Sequence, residues 1–315
     1  MVRLDFLLRV GVLLLLAALI FAANPNFGKI GNLVNIVRQA SIIYLLGIGM
    51  TLVIIVGGID LSNGAVLALS SCIFALAVVN GVPIPAAMLI AIGIGILCGL
   101  ANGALVVYGK IPPFIATFAM MFIARGLAYF FMHSSSIQGF DDTFRFIGTG
   151  SLLGIPILIL WAGLFFALFQ FLMGNTSFGI NVYAIGGNVE SSRLAGIRIG
   201  ATTILVYALN GFLSAFAGLL FTARLNNAEP VIGGSFPLDT IAAVIIGGTS
   251  LFGGEGTLAG TFIGVLILAT LLNGMNLLGI PSLWQALVTG VLILIMIALQ
   301  TYTKNIGWKR AFLRG

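Results

Sequence analysis

An all-α, polytopic transmembrane helical bundle of about ten spans, with both termini cytoplasmic, is what this sequence predicts. Three observations predict it. The 315 residues are 60% hydrophobic and only 7% charged, with a mean hydropathy of +1.19. A soluble domain of this size carries about 25% charged residues, and this chain cannot supply that surface. The apolar runs between charges are long enough for spans, each needing roughly 20 residues. The basic residues are biased to one side once those spans are counted.

The charge-free runs place the spans in order. Residues 10–28 hold the first, and 39–59 the second. The stretch 61–109 holds two, divided at Asn80-Gly-Val-Pro-Ile-Pro85. The fifth runs from about Pro113 to Met132 and contains Arg125, for which an ion pair is the expected partner. The sixth runs from about Leu152 to Met173, and the seventh over 199–223. An eighth, at 240–254, is Gly-rich and short. The stretch 256–303 holds two more, divided near Gly279-Ile-Pro281. The first run, with Ala22-Ala23 after Arg9, also has the form of a signal peptide, but its continuation to Phe27 favours an uncleaved helix.

An even count puts both ends on one side. Arg3, Arg9, Lys110, Arg193, Arg198, Lys304, Lys309, Arg310 and Arg314 then fall inside, against Lys29, Arg38, Arg145 and Arg224 outside. The chain reads as one membrane domain, 1–315, whose longest loops are 134–150 outside and 174–199 inside.

The inner loop carries the one charged island. Glu190, Arg193 and Arg198 fall within nine positions. Asn188 suits an N-cap, Glu190 sits where a helix dipole favours an anion, and Gly196 suits a C-terminal stop. The island is a short helix that looks like a handle for a partner.

Several chemistries are excluded or unsupported. Both Gly-Lys pairs, Gly28-Lys29 and Gly109-Lys110, are followed by Ile, so no GxxxxGK[ST] phosphate loop exists. His133 is the only histidine, which rules out multi-His metal sites, and no metal or cofactor site is expected. Cys72 and Cys98 lie in apolar runs as small hydrophobes. The scattered basic residues do not form a nucleic-acid patch.

Neutral polar groups on spans suit a hydroxylated solute. Thr51, Asn102, Asn210, Asn273 and Asn276 are candidates for the translocation pathway, with inter-helix hydrogen bonding as the other reading. Asp60 joins them as an acid near a span, or else it caps or orders the turn before the third span. The motif GGxxLxxG occurs at Gly57 and again at Gly247, a possible internal repeat. Both glycine breaks are candidates for the pathway border or for tight turns.

A set of motifs then points to a family. They are Gly49-Met-Thr-Leu-Val-Ile, Gly57-Gly-Ile-Asp-Leu-Ser62, Ile115-Ala-Thr117, Tyr183-Ala-Ile-Gly-Gly-Asn188, Arg193-Leu-Ala-Gly-Ile197, and Leu238-Asp-Thr-Ile-Ala-Ala-Val244 through Gly247-Gly-Thr-Ser-Leu251. In this order, over about 24–302, the chain resembles the ribose-type permease subunits of bacterial ABC sugar importers. It departs at Asn63-Gly-Ala65, where that family usually has Val-Gly-Ser.

The resemblance implies a monosaccharide permease of the bacterial cytoplasmic membrane, working by alternating access and not itself an enzyme. It implies a cytoplasmic ABC ATPase partner, with two cassettes that use ATP and Mg, an extracytoplasmic sugar-binding protein, and a second permease copy, identical or paralogous. It also makes the handle a coupling helix. Asn188, Glu190, Ser191, Arg193, Leu194, Gly196 and Arg198 form that set, with Glu190-Ser-Ser-x-x-x-Gly196 following the importer pattern E-A-A-x-x-x-G, Ser standing twice for Ala and the downstream Ile-x-Leu-Pro absent. Permeases for branched-chain amino acids or nucleosides, a stand-alone carrier and an intramembrane enzyme are the alternatives.

Overall fold

The computed structural model describes residues 2–281, 283–291, 294, 295 and 298. Its helices follow the apolar runs. In chain order they begin with α1 Val2–Ala23, a 3-10 turn Pro25–Gly28, α2 Ile30–Ile55, α3 Asn63–Val79, α4 Ile84–Val107 and α5 Pro113–Met132. After β1 Ile137–Gln138 come α6 Asp142–Thr149, β2 Ser151–Leu152, β3 Ile155–Pro156, α7 Ile157–Asn175 and α8 Ser177–Gly187. The chain continues with α9 Val189–Leu194, α10 Ile199–Leu225, β4 Asn227–Ala228, α11 Phe236–Ile246 and α12 Leu258–Leu277. Residues 283–291 are helical again.

Seven of these helices are long and apolar enough to cross a bilayer, and α3 and α11 are shorter apolar helices. Nine of the expected spans therefore have a helix, but the eighth, expected at 240–254, is α11 at Phe236–Ile246, and 247–254 are not helical. The tenth begins where the sequence puts it; its far end, and Lys304, Lys309, Arg310 and Arg314, lie outside the described residues.

Burial sorts the helices. The α2 window is 89% buried and α10 72%, whereas α1 is 6% buried. A helix apolar all round belongs in the middle of a bundle, and α2 and α10 form that middle. α4 packs on α10 through a ridge of small residues four apart, Ala87, Ala91, Gly95, Gly99 and Gly103. A Cβ at Gly99 would strike the carbonyl of Tyr207, and one at Gly95 the carbonyl of Gly211. With no hydrophobic drive between helices in lipid, such backbone approach supplies the packing.

Sequence and structure differ at several places. The loop after α5 is ordered: Asp141 caps α6 through the Thr143 N–H at 2.7 Å, and Phe144 stacks on Phe74 at 4.2 Å between ring centres. β1 pairs antiparallel with β4, and β2 with β3. The stretch before the charged island, expected as loop, is α8. Among the described residues Arg125 has no acid partner; its guanidinium donates to the carbonyls of Pro230 and, at 2.7 Å, Ile232. Carbonyls serve because the neighbouring segment is non-helical and leaves them unpaired.

The glycine echo is real as geometry but shifted in register. α2 and α11 both end in a Schellman motif, with Gly58 N–H on Val53 O and Thr249 N–H on Val244 O. The left-handed residues are Gly57 (φ +85°) and Gly248 (φ +87°), so Gly57 matches Gly248 rather than Gly247.

Candidate functional site

The charged island folds as its sequence predicts. Asn188 is extended (φ −159°), and its side-chain oxygen accepts from the Ser191 N–H at 2.9 Å. Gly196 (φ +78°) closes α9, with its N–H on Arg193 O and the Ile197 N–H on Ser192 O. Glu190 and Arg193 pair at 2.9 Å, and both are about two-thirds exposed. Leu194 is 83% exposed, a large apolar side chain on a charged six-residue helix. Such a residue, flanked by charge, is a candidate anchor for another surface. A groove of about 530 Å³ lies beside it, lined by residues that include Phe178, Asn181, Ile197 and Arg198.

α8 seats this handle on the bundle. Tyr183 donates its hydroxyl to Gly256 O at 2.8 Å, and burial pushes the phenol above its usual range. Gly186 lies flat on the end of α2: a Cβ there would collide with Ile55 O and with the Gly254 N–H. That N–H donates to the same Ile55 carbonyl at 2.9 Å. The two glycine breaks, 57–58 and 253–254, thus meet each other and the base of the handle, backbone against backbone.

Of the six expected pathway residues, three come together. Asp60 accepts from the Ser62 N–H and Ser62 hydroxyl, both at 2.6 Å, on one oxygen, and from the Asn210 amide at 2.7 Å on the other. The Asn102 amide donates to the Ser62 hydroxyl at 2.9 Å. Thr117 completes the knot, donating to Ile59 O and accepting from the Leu61 N–H. All of these side chains are buried. They satisfy the turn between α2 and α3 from α4, α5 and α10, so Asp60 orders that turn. Helix α3 has Ser62 as N-cap, without a side-chain capping bond.

The other three lie apart. Thr51 shares a 2.7 Å hydrogen bond with Thr261, and Asn273 exchanges hydrogen bonds with Asn32. Asn276 is exposed and accepts from Gln285. Asn63, at the departure from the resembled pattern, is buried with neither side-chain polar atom paired. Among the described residues no cluster of His, Cys, Asp and Glu could hold a metal ion.

Comparison with known proteins adds to this geometry. The family model described as branched-chain amino acid transport system / permease component matches residues 32–297. The ribose import permease protein RbsC of Bacillus subtilis is 44% identical over 289 residues, covering 91% of this chain and 90% of the relative. Its counterpart in Haemophilus influenzae is 41% identical over 294 residues, covering 92% and 91%. The galactose/methyl galactoside import permease protein MglC of Escherichia coli is 33% identical over 310 residues, covering 92% of each chain. No solved structure matches.

Proposed function

The chain belongs to the family of branched-chain amino acid transport system / permease components, and from that premise we propose that it is the membrane-spanning subunit of an ATP-driven monosaccharide importer. It is a multi-pass protein of the bacterial cytoplasmic membrane. The relatives named for ribose and galactose support a pentose or hexose as the solute.

The observation that carries the reading is the handle: a capped, charged helix bearing an exposed Leu194, seated on the bundle through close backbone contacts at Gly186 and the Tyr183 hydroxyl. Its cytoplasmic side, and that of both termini, rests on the basic-residue bias. A partner ATPase with two cassettes binds ATP and Mg and grips Asn188, Glu190, Ser191, Arg193, Leu194, Gly196 and Arg198. This chain binds no cofactor of its own. Closure of the cassettes pushes α9. The displacement passes through α8 to the end of α2 and the 253–254 turn, and through Arg198 directly into α10. The Asp60–Asn210 hydrogen bond then carries the movement of α10 to the turn before α3. A second permease copy completes the path, and an extracytoplasmic binding protein delivers the solute.

The double variant Glu190→Ala with Arg193→Ala tests this. Interface residues of this kind contribute roughly 1–2 kcal/mol each when they anchor a partner. Uptake is expected to fall about tenfold or more, or ATP hydrolysis to lose its link to uptake, while the purified subunit melts unchanged. Wild-type transport and ATPase assembly in the double variant would refute the coupling role. The family description itself names branched-chain amino acids. Uptake of leucine, with no uptake of any pentose or hexose, would move the reading to that solute class.

A further inference from the structure

Residues 229–239 do something unusual for a membrane protein. β4 pairs with β1 at the end of the bundle away from the handle. From there the chain drops into the bundle without helix until α11 begins at Phe236. Its depth follows from its neighbours. Gly218 of α10 faces Leu67 O and the Ser71 hydroxyl on α3. Gly64, about one turn nearer the handle, is met by Gly233 O and the Pro237 ring. Residues 233–237 therefore sit level with the middle of α10, a 27-residue helix about 40 Å long.

Non-helical backbone at that depth is tolerated only inside protein or against water. One side of this segment is satisfied by protein, because Arg125 holds the carbonyls of Pro230 and Ile232. The other side is open. Val231 is 59% and Leu238 58% exposed, and Gly234 and Ser235 are exposed with them. Asp239, half-buried and hydrogen-bonded by the exposed Ser235 one turn before it, has no ion pair among the described residues. A carboxylate at mid-depth cannot face hydrocarbon cheaply.

We propose that the open side of residues 229–239 lines a water-filled solute path from the far end of the bundle to its middle, where Asp239 accepts hydrogen bonds from the hydroxyls of a neutral polyhydroxylated solute. The solute class rests on the permease reading above; the wet path does not. A charged acceptor suits a solute rich in hydroxyl donors, and such bonds are stronger than those between neutral groups.

The experiment uses the whole transporter with its partners, in a Cys72→Ala, Cys98→Ala background. Ser235→Cys and Leu238→Cys are treated with a membrane-impermeant methanethiosulfonate, alongside Leu97→Cys as control. Leu97 is 61% exposed at mid-length of α4, on a face with no charged residue. Thiols at 235 and 238 are expected to react about tenfold faster than at 97, because a thiol in hydrocarbon does not ionise. Equal rates would overturn the path. Asp239→Asn is expected to raise the uptake KM about tenfold, the loss of a charge-assisted hydrogen bond. An unchanged KM would remove Asp239 from solute binding. Fast labelling without uptake of any monosaccharide by the wild-type transporter would sink the sugar reading and leave the path standing.

Discussion

The handle and the turn at Asp60 are both polar islands in an apolar chain, and they treat their polarity in opposite ways. On the handle, Glu190 and Arg193 spend their charges on each other in open water, and Leu194 is left bare. At the turn, Asp60, Ser62, Asn102, Thr117 and Asn210 point inward and bond to one another or to backbone, while Asn102 Oδ1 and Asn210 Oδ1 are buried without a partner among the described residues. The first arrangement is weak within the chain and free to meet a partner. The second makes most of its bonds within the chain and is buried from the surface. Polar residues in a membrane protein thus divide by where their bonds end, which residue type alone does not tell.

Variants can break that contrast. The largest effect is expected from Asp60→Ala, which strips the Ser62 N–H, Ser62 hydroxyl and Asn210 amide of their acceptor. Buried donors left unpaired cost about 1–3 kcal/mol each, so a total of roughly 3–5 kcal/mol should appear as a large drop in melting temperature in detergent. A drop no larger than that of Glu190→Ala would show that the two islands do not differ as described. Exposed pairs like Glu190 and Arg193 contribute only about 0–1 kcal/mol.

A smaller effect separates two adjacent glycines at the joint. Gly186→Ala forces a Cβ into Ile55 O and should cost roughly 1–3 kcal/mol and most of the uptake. Gly187→Ala meets nothing within 4 Å and should transport normally. Equal tolerance at both positions would mean that the handle does not bear on α2.

The smallest effect has the opposite sign. Asn63, buried beside the polar turn, has no bond at either side-chain polar atom among the described residues. Asn63→Val should raise stability by about 1 kcal/mol, seen as a higher melting temperature, because an orphaned buried amide is replaced by an apolar group. A lower melting temperature would mean that the amide has a partner, such as a bound water.

The same contrast explains what the sequence makes legible. Spans show because charge is absent from them, and the handle shows because charge returns. The caps at Asn188 and Gly196 are local and follow from residue type. The knot is not local: Asp60 and Asn210 are 150 positions apart, and nothing in either neighbourhood names the other. Helix α8 escapes because it is half-buried against the bundle and has neither the length of a span nor the polarity of a loop. The glycine echo misleads by one residue, since Gly57 and Gly247 share a letter while Gly57 and Gly248 share a backbone conformation. Arg125 looks like half of an ion pair because a non-helical segment with free carbonyls cannot be foreseen 105 residues away.

The joint among Gly186, Ile55 and Gly254 is made of main chain. Such a joint transmits force without specifying whose force it is. Under the coupling role proposed above, identity rests in the exposed side chains of α9 and its flanks, where substitution would change which engine fits while the gearing behind it stays the same.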